Sequence, residues 1–188
     1  MTLVRWAKGY TQAELDSAQH RFGLIFPPDL VALLREKRPV EGHDWTDDAA
    51  IRRALDRPFN GLLDSVERGA LWWPEWGTRP ATAHAREQFL RDVVSLTPKL
   101  IPLIAHRYLP EEPHETGNPV FSIFYTDAIY YGANLKDYFE REFGDWHARR
   151  RPWPSQIKYI PFWSFGVAEK SSQSPRPCGS ARWIARSD

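Results

Sequence analysis

The chain has a single cysteine, Cys178, and no stretch of about 18 consecutive apolar residues. One cysteine excludes an internal disulfide and a cysteine-based zinc site, so folding has to depend on the core alone. The amino-terminal residues 1–16 contain no apolar run of the length that a signal peptide needs. These absences are typical of a reducing cytoplasm, and we expect a cytoplasmic protein without a membrane partner.

The common motifs of hydrolytic and nucleotide-binding enzymes are also absent. No GxSxG, P-loop, GxGxxG or HExxH pattern occurs in the sequence. Ser155 and Lys158 form an SxxK pair, but two specified residues arise easily by chance, and the other motifs of penicillin-binding enzymes are missing. The sequence therefore predicts no catalytic residue and no cofactor.

Charge is distributed unevenly along the chain. Residues 1–144 carry 21 acidic and 17 basic side chains, whereas residues 145–188 carry three acidic and eight basic ones. A folded nucleic-acid binder presents a basic stripe, so we expect no nucleic-acid partner. Three arginines at residues 149–151, followed by Trp153, could contact phosphates and stack on a base. A solvated run beyond a helix end is the simpler interpretation.

The length of 188 residues suits one domain with an extension. Residues 169–188 are rich in Ser, Pro, Arg and Gly, and they carry too few apolar side chains to order by themselves. The sequence therefore predicts a single domain over residues 1–168 and a basic disordered tail over residues 169–188.

Start and stop signals predict four helices in the N-terminal half. The first covers residues 12–22 after a capping box at residues 11–14, and the second begins after a Pro-Pro pair at residues 27–28. The third covers residues 47–55 and is ended by Pro58. Thr82 caps the fourth, which ends near Thr97.

Two segments between these helices have less regular patterns. Residues 59–68 fit either a helix or, at Asn60 and Gly61, a turn. Residues 71–76 predict a short strand that Pro74 interrupts.

Strand, turn and helix signals follow one another without a break in residues 100–144. Residues 100–104, 120–125 and 129–131 predict strands, and the last two runs form an antiparallel hairpin with Asp127 on its turn. Asn134 caps a helix that ends at Gly144. Residues 157–165 could add an edge strand because they contain a proline. The predicted fold class is α+β, an antiparallel or mixed sheet with helices packed on it.

Several blocks of the chain resemble a known superfamily. The blocks are residues 22–34 (FGLIFPPDLVALL), 71–80 (LWWPEWGTRP), 106–110, 117–122, 126–132 and 135–143. They resemble bacterial members of the SUKH superfamily, which takes in toxin-immunity proteins and fungal regulators of cell-wall synthesis. The resemblance spans roughly residues 11–144 and includes no catalytic signature. It implies a SUKH-like α+β fold and, as a function, the binding and neutralisation of a bacterial toxin domain.

Aromatic and arginine side chains form the candidate partner-binding surface. Trp, Tyr and Arg dominate interface hot spots, because rigid rings bury much area at little entropic cost. At least one of Trp72 and Trp73 should be exposed if that segment is extended. The mild acidity of the domain would steer it towards a basic partner. The candidate residues are Trp72, Trp73, Trp76, Arg79, Tyr108, Asp127, Tyr130 and Tyr131.

Two other functions stay open. A regulatory or scaffold module would use the same kind of surface. A metal-assisted hydrolase would need His106 and Asp127 within reach of one ion, since imidazole and carboxylate suit zinc or manganese. His106, His114 and Glu115 match no known ligand spacing, so we assign no metal ligand. The sequence leaves the oligomeric state open.

Overall fold

The structure, a computed structural model, describes residues 4–164. Within this range the chain is α+β, with helices packed on a four-stranded antiparallel sheet and a separate two-stranded sheet, so the predicted fold class is confirmed. None of the helices in the same range is long and apolar enough to cross a membrane. The predicted tail at residues 169–188 and Phe165, the last residue of the predicted final strand, lie outside the described residues.

Two short strands and four helices make up the N-terminal half of the described chain. Capping explains where two of the helices begin: the Thr11 capping box opens the first and Thr82 caps the last, as predicted. The strands pair antiparallel with each other. In chain order the elements are β1 (Trp6–Lys8), α1 (Gln12–Phe22), α2 (Pro28–Glu36), β2 (Lys37–Pro39), α3 (Asp48–Glu67) and α4 (Ala83–Ser95).

Helix α3 does not end at Pro58, as the sequence predicted, but continues to Glu67. A proline inside a helix has no N–H for the carbonyl four residues earlier, which here belongs to Ala54. The Tyr108 hydroxyl donates a buried hydrogen bond to Ala54 O over 2.9 Å. The carbonyl that Pro58 leaves free thus has a donor from the sheet, and the helix can continue.

Gly61 lies inside α3 and not in a turn. Glycine is needed at this position because the backbone of Tyr125 approaches closely: a Cβ atom here would come within 2.9 Å of Tyr125 Cα. The predicted strand at residues 71–76 is also wrong. This segment is a loop followed by a 3₁₀ turn at Pro74–Trp76, with Trp73 as its N-cap and proline at its first position.

The C-terminal half contains the four-stranded sheet, in the order β3-β4-β5-β6. The predicted hairpin and the Asn134-capped helix are confirmed, although Asp127 opens the second hairpin strand instead of lying on the turn. Residues 157–164, the described part of the predicted last strand, form no strand. The elements are β3 (Leu100–Ile104), β4 (Arg107–Pro110), β5 (Val120–Phe124), β6 (Asp127–Gly132), α5 (Leu135–Phe143) and α6 (Trp146–Arg150).

The four-stranded sheet carries a core on each face. One core includes buried side chains from α1, α2 and α5, among them Leu15, Leu30 and Tyr138. The other includes side chains from the C-terminal half of α3, from α4 and from residues 160–163. Because successive side chains of a strand point to opposite faces, Leu100 and Ile101 belong to different cores.

Candidate protein-binding surface

The three tryptophans of the predicted surface pack on one another. Trp72, Trp73 and Trp76 are half-buried, with ring centroids 4.7 Å apart for Trp73 and Trp76 and 5.3 Å apart for Trp72 and Trp76. Trp76 also contacts Phe89 of α4, and Trp73 contacts Phe162. Neither Trp72 nor Trp73 is exposed, because the segment is not an extended strand. The cluster joins the 71–76 loop to α4 and to the C-terminal end of the described chain.

Three other predicted residues have structural contacts. Arg79 donates from Nη2 to Val66 O over 2.8 Å, at the end of α3, where helix carbonyls lack partners within the helix. Tyr108 is fully buried and has no surface for a partner, so its prediction as a binding residue is wrong. Tyr130 is half-buried on the core face and donates from its hydroxyl to Ser164 Oγ over 2.7 Å.

Asp127 and Tyr131, the remaining predicted residues, lie on β6 next to exposed apolar side chains. Phe124 is 62% exposed, Tyr125 44% and Ile129 37%. Phe124 and Tyr125 meet edge to face, with their ring centroids 4.8 Å apart. We name as the hairpin patch the surface formed by His106, Phe124, Tyr125, Ile129 and Tyr131. Phe124, Tyr125 and Ile129 are not among the candidate residues of the sequence analysis, although their aromatic and β-branched character at a hairpin tip was the available signal.

The patch is open because the helices cover only part of this sheet face. Ile101, Leu109 and Val120 are buried in the core that α1, α2 and α5 share. The row that runs across β4, β5 and β6 at Arg107, Ser122 and Ile129 lies nearer the hairpin tip. Ser122 in this row is buried, whereas Ile129 is 37% exposed, so this end of the sheet face is uncovered at β6.

The turn at the hairpin tip is held against α3. Tyr125 has a positive φ of 55°, which is uncommon for a residue with a side chain. Its backbone nitrogen and Cα lie so close to Gly61 that a Cβ there would be 3.2 and 2.9 Å from them. A turn that is fixed in advance loses little conformational entropy when a partner binds.

Charges of both signs surround the hairpin patch. The Arg107 guanidinium lies 3.6 Å above the Tyr131 ring and donates to Ser122 Oγ over 3.1 Å. Burial, together with the nearby Arg107 and Arg57, lowers the pKa of His106, so this imidazole is neutral at pH 7. Asp127 on β6 adds a negative charge at the same end of the sheet. The patch therefore does not present the single sign of charge that would steer a basic partner.

A second open feature is a groove of about 550 Å³ between α2 and α5. Its apolar centre is formed by Trp6, Leu33 and Phe139, and Trp6 is 37% exposed. The charged residues at its rim pair with one another, as in the Lys37–Glu36 and Lys136–Glu140 ion pairs. The groove thus has ion pairs at its rim and one exposed ring, Trp6, whereas the hairpin patch exposes Phe124, Tyr125 and Ile129.

The structure places His106 and Asp127 at the same end of the sheet, His106 in the turn before β4 and Asp127 at the start of β6. Among residues 4–164, no group of three or more His, Cys, Asp or Glu side chains is arranged to hold a metal ion. The centroid of the His106 ring instead lies 6.3 Å from that of the Phe124 ring.

Comparison of the chain with models of known protein families, with curated proteins and with solved structures found no match.

Proposed function

We propose that this chain is a non-enzymatic protein-binding domain, and that it acts as an immunity protein that neutralises a bacterial toxin. The observation that supports binding is the hairpin patch, where Phe124, Tyr125 and Ile129 are exposed on a hairpin whose turn packs against α3. Exposed apolar side chains that form a contiguous surface mark interaction sites. The choice of a toxin as the partner rests on the resemblance of several sequence blocks to the SUKH superfamily.

Neutralisation by such a surface is steric. The rings of Phe124 and Tyr125 would enter a depression on the toxin, and buried aromatic rings are among the side chains that contribute most to an interface. Arg107 and Asp127 would form the polar rim and fix the orientation. The bound domain would then cover the toxin surface that contacts its target, without any reaction.

The test is co-expression of this chain with a toxin domain encoded beside it. Wild type should restore growth, and Phe124→Ala should weaken binding of the purified toxin domain by about 2 kcal/mol, or roughly 30-fold. The matched control is Ile25→Ala, which removes an equally exposed apolar side chain from the loop between α1 and α2. This control should bind as wild type does.

Two outcomes would contradict the proposal in different ways. If Ile25→Ala and Phe124→Ala weaken binding equally, the hairpin patch is not the contact. If this chain binds no toxin domain encoded nearby, and restores growth in the presence of none of them, the immunity function is wrong and a scaffold function is favoured.

A further inference from the structure

The outer edge of the four-stranded sheet is β6, and the hydrogen bonds of β5 show which of its groups face outward. Ile123 N donates to His106 O over 3.0 Å, towards β4. Backbone groups of successive strand residues point to alternate sides. Ser122 and Phe124 therefore direct their N–H and C=O groups the other way, towards β6.

In the register of the hairpin, the β6 residues opposite Ser122 and Phe124 are Ile129 and Asp127. The residues between and after them, Ala128 and Tyr130, must direct their N–H and C=O groups away from the sheet. Within residues 4–164, no backbone or side-chain group outside the hairpin forms a hydrogen bond with these outward groups. Among the described residues, nothing therefore pairs with the outer edge of β6.

The opposite edge, β3, is protected. Pro102 in its centre has no N–H to donate, and Leu103 O already accepts a hydrogen bond from His43 N over 3.1 Å. Natural sheets protect their edges by proline, by charge or by a covering loop, because open edges pair with other strands. β6 contains no proline, and its one charged residue, Asp127, stands at its start.

We propose that two copies of this chain pair antiparallel through β6 and join their sheets into one of eight strands. The register between the two copies follows from the pairing of β5 with β6. A register shift between Val120 and Phe121 ends the regular part of that pairing at Tyr130. The outward-facing residues of this regular part are Ala128 and Tyr130. Both can form hydrogen bonds with the second copy only if the twofold axis passes through the Ile129 pair. Ala128 of each copy then lies opposite Tyr130 of the second copy, and the two pairs form about four hydrogen bonds.

The side chains of β6 suit this register. Ile129 lies opposite Ile129 of the second copy, so the two apolar side chains stand next to each other on the same face of the joined sheet. Asp127 lies opposite Tyr131 of the second copy, which keeps the two carboxylates at opposite ends of the pairing. No like charges meet, and this compatibility of the strand with itself favours a second copy over a foreign strand.

The pairing also determines where the hairpin patches lie. The twofold axis of an antiparallel pair within one sheet is perpendicular to the sheet, so both copies present the same face on the same side. Two hairpin patches then lie side by side around the axis. A toxin domain bound to each would form an assembly with two copies of both proteins.

Cysteine cross-linking tests the register with the full chain. Across a pair of this type the two Ile129 Cα atoms would be about 4.5 Å apart, within the range of roughly 4.4–6.8 Å that a disulfide spans. In a Cys178→Ser background, Ile129→Cys should form a covalent dimer on mild oxidation. Phe124→Cys, which is more exposed but far from the axis, should not. Equal cross-linking of both, or of neither, would overturn the proposal.

Analytical ultracentrifugation tests the association itself. The wild-type chain should be dimeric at high protein concentration, and Ala128→Pro should raise the dimer dissociation constant about tenfold or more, because it removes an outward N–H. Ile129→Lys, which places like charges at the axis, should do the same without altering the backbone. A wild-type chain that is monomeric at every concentration would overturn the proposal. These measurements use no toxin, so their failure would leave the Phe124→Ala test of the proposed function unaffected.

Discussion

At the scale of single residues, two fully buried tyrosines, Tyr108 on β4 and Tyr138 on α5, differ in one hydrogen bond. Tyr108 donates its hydroxyl proton to Ala54 O, whereas the Tyr138 hydroxyl has no partner among the described residues. Burial raises the pKa of Tyr108 to about 12, so its hydroxyl remains a donor at neutral pH. A buried polar atom with a partner contributes to stability, and one without a partner costs free energy.

Replacement of each tyrosine by phenylalanine should therefore have opposite effects. Tyr108→Phe leaves Ala54 O without a donor and should lower the free energy of unfolding by about 1–3 kcal/mol. Tyr138→Phe removes an unpaired hydroxyl and should leave that free energy unchanged or slightly raised. Urea unfolding of both variants measures the difference. Equal losses for both would show that Tyr108 does not support the helix at Pro58.

Asp137 of α5 forms ion pairs with Arg141 on the same helix and with Arg151, which follows α6. Burial alone would raise the pKa of Asp137, but hydrogen bonds from Ala133 N and from the Arg141 and Arg151 guanidinium groups lower it. A carboxyl group whose pKa is lower in the folded state stabilises the fold above its unfolded pKa. That contribution is lost as the pH falls through its folded pKa.

Asp137→Asn should lower the free energy of unfolding by about 3 kcal/mol at pH 7, because it leaves the buried Arg141 guanidinium without its counter-ion. The difference from wild type should begin to narrow below about pH 4, where Asp137 of the unfolded chain becomes protonated, and should narrow further as the pH falls towards the lowered pKa of the folded state. Unfolding curves at several pH values check both parts. A difference that is the same at pH 7 and pH 3 would contradict the assignment.

At the scale of elements, helix starts were readable from the sequence and one helix end was not. Thr11, Thr82 and Asn134 cap their helices through contacts with residues three positions away, so local sequence is enough. The continuation of α3 past Pro58 depends on Tyr108, which is 54 residues distant from Ala54. A rule about proline that considers neighbours alone could not predict it.

The same distinction applies to the candidate surface. The run of β-branched and aromatic residues at 129–131 placed Tyr131 correctly on a strand, and the hairpin itself was evident from its short turn. Asp127 was predicted to lie on that turn, but it is the first residue of β6. Which end of the sheet face stays open depends on where α1, α2 and α5 lie in space. For this reason Phe124 and Ile129 were missed, and the buried Tyr108 was predicted to be a surface residue.

The contact between α3 and the hairpin turn gives a prediction at this scale. Gly61→Ala improves helix propensity by about 1 kcal/mol, but its Cβ would overlap the Tyr125 backbone. We expect a net loss of about 1–2 kcal/mol in the free energy of unfolding and weaker binding at the hairpin patch. Asn60→Ala, at the exposed neighbouring position of α3, is the matched control and should be neutral or stabilising. If both variants behave alike, the turn is not held by this contact.

At the scale of the whole molecule, the two cores share every strand of the sheet. Neighbouring residues such as Tyr108 and Leu109 on β4, or Val120 and Phe121 on β5, belong to opposite cores. A loss of packing on one face therefore disturbs strands that also support the other face. This arrangement favours unfolding of the described residues as one unit.

One large-to-small substitution in each core tests whether the two cores unfold together. Leu15→Ala on α1 and Leu90→Ala on α4 both remove a fully buried side chain and should each lower the free energy of unfolding by about 2–5 kcal/mol. Leu96→Ala, at a position that is 66% exposed, should have little effect. In each variant tryptophan fluorescence and far-UV circular dichroism should report one coincident transition, since Trp45 and Trp163 lie in different cores. Two separate transitions in Leu15→Ala would mean that the faces unfold independently, because the strands between them would then not transmit the loss of packing.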